Sequence, residues 1–225
     1  MNIKINIAID GPAGSGKGTT AKLLAKKLNY KFLDTGAMYR GVAYYCSIYK
    51  ISFEELKEDD LKNIKLNFSK EQELLLNNEN VEESIRSPNI GELASKFSTL
   101  KIVRDFLSNI QKEIVKERGF IAEGRDIGSV IMPNAELKIY LTAQIDVRAR
   151  RRLEDFKKKG ILLEFEEVKQ QIVERDHQDM TRDIAPLIKV KDAVQIDTSE
   201  INIETQVDVI EKLALKHINF LKRNE

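Results

Sequence analysis

The chain has 225 residues, 42% of them hydrophobic, and a formal net charge of +1. That length suits one compact domain with a modest insert, and near-neutrality excludes a global electrostatic pull toward nucleic acid or an anionic membrane. The one cysteine, Cys46 in GVAYYCSIY, cannot form an internal disulfide. It reads as a buried thiol in a reducing compartment. With no run of about 18 apolar residues and no secretory pattern, the protein is expected to be soluble and cytoplasmic.

In chain order, the isoleucine-rich IKINIAID predicts a buried parallel strand. It runs into GPAGSGKGTT, after which TTAKLLAKKLN has apolar Ala21, Leu24, Ala25 and Leu28 at helical spacing. Lys31 to Asp34 reads as a second short strand, followed by a helix through Met38, Tyr39, Val42 and Tyr45. Residues 64 to 86 alternate more, with Asn-Asn and Glu-Asn as turn signals, and predict a small antiparallel insert. Helical periodicity returns from Pro88 to Lys116. GFIAEG and ELKIYLTA read as buried strands, and EGRDIGSVIMP as the loop after the first of them. A strongly basic helix, a second charged helix to about Asp179, the strand AVQID and an amphipathic helix from Glu204 to Leu221 complete the chain. Strands alternating with helices predict an α/β fold, a parallel sheet covered on both faces.

The glycine loop carries the clearest chemistry. A strand, the spacing G-x-x-x-x-G-K and a helix coincide at Gly11 to Lys17, which is the context of a phosphate-binding loop. The first amide hydrogens of a helix have no internal partners and carry the positive end of its dipole. Glycines let backbone curl around phosphate oxygens, and Lys17 would reach the terminal phosphates. Gly18 departs from the generic pattern, which asks there for a hydroxyl; Thr19 follows one place late.

Four further stretches offer groups for a second anion. LDTGAMYR carries Thr35, Tyr39 and Arg40; EGRD carries Arg125 and Asp126 just after a buried strand, where open α/β sheets bind ligands. Ser95 and Arg104 lie nine residues apart in a helix–turn–helix region. VRARRR places four arginines in six residues, and with RDHQDMTR it brackets a charged segment. Each has a plainer reading: a surface charge at Arg40, a loop ion pair at Arg125 and Asp126, surface polar groups at Ser95 and Arg104. The arginine run reads equally as a solvated face or a nucleic-acid patch. Two arginine-rich helices joined by a short turn could also close over a triphosphate and exclude water.

G-x-x-G-x-G-K-G-T resembles the loop of the nucleoside monophosphate kinases, in which glycine follows the lysine and threonine comes next. Taken with LDTGAMYR, IRSPNIGELAS, the Ser95–Arg104 spacing, EGRDIGSVIMP and RDHQDMTRDIAPL, nearly the whole chain resembles bacterial cytidylate kinase. Lys101 stands where proline is common in that family. The resemblance implies a P-loop NTPase-like parallel sheet with helices on both faces, a small antiparallel insert in the NMP-binding part and a short helical lid. It implies one domain over 1–225, with the NMP-binding part and insert at about 35–100 and the lid at about 148–182.

The implied reaction is in-line transfer of the γ-phosphoryl group of Mg·ATP to CMP or dCMP. Gly11, Pro12, Ala13, Gly14, Ser15, Gly16, Lys17, Gly18 and Thr19 would hold ATP. Magnesium would be held mainly by ATP, with Thr19 as a hydroxyl contact. Thr35, Tyr39, Arg40, Ser95, Arg104, Arg125, Asp126, Arg175, Asp179 and Arg182 would bind CMP. Arg40 and Arg125 would grip its phosphate, and Ser95, Arg175 and Asp179 would face its sugar. Lys17, Arg125, Arg148, Arg151 and Arg182 would stabilise the moving charge, with Arg152 also in the lid. No nucleic acid, no membrane and a monomer are the expected partner state. The absence of N-K-x-D argues against a guanine switch, and the lack of aromatic interleaving around VRARRR against a nucleic-acid ATPase. His177 and His217 read as surface groups.

Overall fold

The computed structural model describes residues 3–223. These divide into two compact units: the chain up to Phe32 together with the chain from Glu117 onward, and Leu33–Lys116 between them.

The first unit holds β1 (Ile7–Asp10), α1 (Lys17–Leu28), β6 (Phe120–Gly124), β7 (Leu137–Thr142), α6 (Ile145–Lys158), α7 (Phe165–Thr181), β8 (Val194–Asp197) and α8 (Ile203–Arg223). The unit boundary falls within β2 (Lys31–Asp34). The sheet order is β2-β6-β1-β7-β8, with β1 parallel to both β6 and β7, and β8 parallel to β7. All four residues of β1 are buried, which is why IAID reads as a continuous apolar run rather than an alternating one. Ile7, Ile9, Ile121, Ile139 and Leu141 of the sheet form one core with Leu24 of α1 and Ile210 of α8. A separate small core, Ala149, Phe156, Val168 and Ile172, holds α6 against α7. These two helices are the predicted lid segment.

Where the sequence reads a loop after β6, the structure has a π-helical turn over Ile127–Ile131. The cause lies in a neighbouring strand. Asp10, at the end of β1, accepts hydrogen bonds from the Ile127 and Gly128 amides at 2.8 and 2.7 Å, and the Met132 amide closes back on the Ile127 carbonyl at 2.6 Å. Burial pushes the Asp10 carboxyl up to about 6, although the two amides pull against it.

The second unit holds α2 (Thr35–Ile48), α3 (Glu58–Lys62), β3 (Leu66–Phe68), β4 (Leu74–Leu76), β5 (Glu79–Asn80), α4 (Pro88–Phe97) and α5 (Lys101–Ile114). The three short strands form the expected antiparallel sheet, in the order β3-β4-β5. Ser87 caps α4 by accepting from the Ile90 amide, with Pro88 in the first turn. The helical stretch that follows breaks at residues 98–100. There the Ser98 and Thr99 hydroxyls donate back to the Ser95 and Lys96 carbonyls, an alternative to continuing the helix.

The insert rests on α2 at a glycine. A Cβ at Gly41 would lie 2.8 Å from Leu74 Cδ2 and 3.1 Å from Leu66 Cδ2. Gly41→Val therefore forces the two leucines outward. Overpacking of this kind costs about 1–3 kcal/mol, so urea unfolding should show a loss of that size.

Candidate active site

The loop between β1 and α1 is curled by glycines in left-handed conformation, Gly14 at φ 74° and Gly16 at φ 88°. Gly16 is the residue before α1 and offers no capping side chain. The first turn, Lys-Gly-Thr-Thr, holds no acid. The orphan amide hydrogens and the positive end of the helix are thus left for an anion. Lys17 is buried, and its ammonium donates to the Pro12 carbonyl at 2.8 Å and to Ser15 Oγ at 3.4 Å. Burial and the nearby Arg125 press its pKa well below the usual lysine range, and Glu123 and Asp179 oppose the shift.

The hydroxyls around Gly18 divide their work. Thr20 is buried and donates to Gln206 Oε1 at 2.9 Å, whereas Thr19 is exposed. A Cβ at Gly18 would lie 3.7 Å from Glu123 Oε1. The position that carries a hydroxyl in the generic loop here faces a carboxylate at the end of β6.

An arginine–carboxylate network follows β6 in the same unit. Arg125 Nε donates to Asp179 Oδ2 at 2.7 Å. Arg182 Nη1 lies 3.5 Å from Asp179 Oδ1, and Arg182 Nη2 lies 3.8 Å from Asp126 Oδ1. Arg182 also donates through Nε and Nη2 to the Ala185 carbonyl, at 2.9 and 2.6 Å. Burial of Asp179 favours its neutral form, but Arg125, Arg175 and Arg182 outweigh burial and hold its pKa below the ordinary value. Asp126, Asp179 and Arg182 are almost fully enclosed.

The second unit has its own network, centred on Asp34. This carboxylate caps α2 by accepting from the Ala37 amide at 2.7 Å. It also accepts from Nη2 of Arg40 at 3.1 Å and from Nη2 of Arg86 at 2.9 Å. Arg86 pairs in turn with Glu82. Burial of Asp34 raises its pKa, but Arg40 and Arg86 overcome this and hold the carboxyl well below the usual carboxylate range. Nearby, the Arg104 guanidinium lies over the Tyr39 ring at 5.6 Å and donates to the Ser98 carbonyl at 3.1 Å. Thr35 opens α2, and Ser95 lies in the last turn of α4.

The structure therefore gathers Lys17, Arg125, Asp126, Asp179 and Arg182 around one end of the first sheet. It gathers Arg40, Tyr39 and Arg104 within the second unit. Two arginines of α6 are occupied by the chain itself. Arg151 donates to the Thr198 hydroxyl and carbonyl at 3.0 and 2.6 Å. Arg148 is buried and donates to the Ala143 and Ala13 carbonyls. Arg152 lies over the Phe156 ring at 4.4 Å.

Sequence reasoning missed Asp10, Asp34, Arg86, Glu123 and Asp176. Asp34 had a signal, an aspartate just before a helical stretch, which is a capping pattern. Asp176 had another, lying three residues before Asp179 and so on the same helix face.

Asp34 supplies a pH-dependent contribution to stability. Its folded pKa lies below the unfolded value of about 3.9, so its stabilisation is complete above that value and lost as pH falls through the lower folded pKa. Asp34→Asn should cost about 1–3 kcal/mol near neutrality, since Arg40 and the part-exposed Arg86 lose a shared charged acceptor while Arg86 keeps Glu82. Denaturation between neutrality and strong acid should show the wild-type advantage shrinking only below about pH 4.

The cytidylate kinase family profile matches residues 7–217. A relative described as cytidylate kinase, from Thermosipho melanesiensis, is 48% identical over 207 residues, 92% of this chain and 95% of that protein. Another with the same description, from Thermotoga maritima, is 45% identical over 216 residues, 95% of this chain and 98% of that protein. A solved structure of an uncharacterized protein from Eubacterium ventriosum is similar in fold, with a TM-score of 0.52 at 15% identity, covering 94% of this chain and 98% of that one. With a profile match across most of its length and such relatives covered almost end to end, this chain belongs to the cytidylate kinase family.

Proposed function

We propose that the chain transfers the γ-phosphoryl group of ATP to CMP or dCMP, giving ADP and CDP or dCDP. Family membership supports the substrate class. The single structural observation that carries the reading lies in the first unit. An uncapped helix start with a buried lysine is accompanied there by the Arg125–Asp179–Arg182 network. One anion site would serve ATP; the arginines beyond it suit a second phosphate.

In this reading Gly11 to Thr19 wrap the ATP phosphates and Lys17 leaves the Pro12 carbonyl for a phosphate oxygen. A phosphate oxygen of CMP, already an anion, attacks the γ-phosphorus in line with the departing ADP oxygen. No covalent intermediate and no general base are required, because positioning and charge stabilisation carry the rate. Lys17, Arg125 and Arg182 face the charge that develops, and Arg151 acts through the lid. The exposed Thr19 hydroxyl and the Glu123 carboxylate beside Gly18 are hard oxygen donors and would suit magnesium. Magnesium bound with ATP would supply neutralisation of the phosphate charge.

Within the first unit, Arg125, Asp126, Arg175, Asp179 and Arg182 are the residues assigned to CMP. Asp126 accepts from the exocyclic amine of cytosine. Uracil presents an oxygen where cytosine has that amine, so a carboxylate would face it without a proton between them. The protein acts as a cytoplasmic monomer in pyrimidine nucleotide metabolism. Among the described residues no helix is long and apolar enough to cross a membrane.

An ADP-release assay with Mg·ATP should show CMP and dCMP turned over well. UMP and AMP should be slower by about tenfold or more, in line with the ~1–3 kcal/mol of an unpaired buried polar group. ATP hydrolysis without acceptor preference would defeat the reading. Asp126→Asn should narrow the ratio of CMP to UMP turnover by about tenfold; an unchanged ratio would remove Asp126 from base recognition.

A further inference from the structure

The phosphate loop is held from outside by a pair that the transfer chemistry does not use. Ala13 lies in the middle of the loop. Its amide donates to Asp176 Oδ1 at 3.2 Å, and its carbonyl accepts from Arg148 Nη1 at 3.0 Å. Arg148 and Asp176 pair directly with each other. Arg148 Nε also donates to the Ala143 carbonyl at 2.9 Å, which fixes the guanidinium at the end of β7. Both side chains are about nine-tenths enclosed. At the next residue, a Cβ on Gly14 would stand 3.0 Å from both Arg148 Cβ and the Arg148 carbonyl oxygen. The backbone of α6 therefore lies directly against the loop.

We infer that Arg148 and Asp176 are positioning residues, which fix the peptides on either side of Ala13 and so set the curvature of the phosphate loop before nucleotide arrives. A buried ion pair is weak ground for stability alone, because desolvation offsets its attraction. This pair, however, spends one hydrogen bond from each partner on the two polar groups of a single loop residue. A loop that must present several amides to one ligand gains affinity when it is ordered beforehand. The arrangement also joins the inner ends of the lid helices, Arg148 on α6 and Asp176 on α7, to the loop itself. Closure then has to occur farther out, toward the turn at residues 159–164. Arg148 is spent on Asp176 and on the Ala143 and Ala13 carbonyls. Its effect on the reaction passes through Ala13.

The inference rests on the ATP reading of the loop and not on the identity of the acceptor. The test is calorimetric titration of ADP, without CMP, into wild type, Asp176→Asn and Arg148→Lys. The asparagine of the first variant keeps an acceptor for Ala13 but turns its amide hydrogens toward Arg148. The lysine of the second keeps the charge but cannot reach both carbonyls. Each variant should bind ADP about tenfold more weakly, with KM for ATP rising in parallel and KM for CMP unchanged. A lowered Tm with ADP affinity within about twofold of wild type would make the pair merely structural and overturn the inference.

Amide exchange on the unaltered protein gives a second reading that does not depend on the variants folding. The Ala13 amide should be protected before any nucleotide is added, and exchange at the rate of an exposed loop amide would likewise overturn the inference. If ADP binds as expected but CMP is not a substrate, the acceptor assignment fails and the positioning role stands.

Discussion

The first turn of α1 leaves its amide hydrogens without a side-chain cap, and the loop before it is built around that start. Most helices satisfy those hydrogens with the side chain before the first turn. Here that residue is Gly16, which has none, and the first turn carries no acid. The uncapped start is tolerable because the loop is otherwise fully determined. Lys17 folds onto the Pro12 carbonyl, Thr20 anchors the helix to α8 through Gln206, and Ala13 is bonded on both its polar groups. Gly18, the apparent flaw in the motif, faces Glu123, while Thr19 keeps an exposed hydroxyl.

Arginines in both units are arranged by a common device: one buried aspartate serves two guanidinium groups. Asp179 holds Arg125 and Arg182; Asp34 holds Arg40 and Arg86. Each aspartate keeps two guanidinium groups close together, as the proposed phosphate sites require. It also fixes the planar forks beforehand, which lowers the entropy lost when a phosphate binds. Asp34 extends the device, because Arg86 is also paired with Glu82. The segment following the antiparallel insert is thereby tied to the start of α2. Its counterpart on β1, Asp10, uses two backbone amides instead of arginines to set the turn that follows Arg125 and Asp126.

Much of this was legible in the residues. The buried run IAID, the glycine loop and the helical spacing of Ala21, Leu24 and Ala25 place β1, the loop and α1 directly. Alternation around residues 64–86 with its Asn-Asn turn predicts the small sheet. Arg125 and Asp126 were placed at a strand end by pattern alone. What stayed hidden was the partner of each charge. VRARRR looks uniform in sequence, yet its first arginine is buried against Ala13, another is held by Thr198, and a third lies over Phe156. Only tertiary packing separates them. The turn at Ile127–Ile131 was equally unreadable, because Asp10, which sets it, lies more than a hundred residues earlier. Arg86 belongs to an ordinary-looking IRSPN string, and its link to Asp34 spans 52 positions.

The central claim is that this one chain holds two phosphate-bearing nucleotides together, the second of them a cytidine nucleotide. Calorimetric binding of a bisubstrate compound, adenosine joined to cytidine through a polyphosphate, tests it most directly. The account predicts affinity about a hundredfold or more above that of ATP or CMP alone, since the second binding event becomes intramolecular. The matching adenosine–uridine compound should bind clearly more weakly. A bisubstrate compound held no more tightly than ATP itself, or one indifferent to cytosine and uracil, would contradict the account.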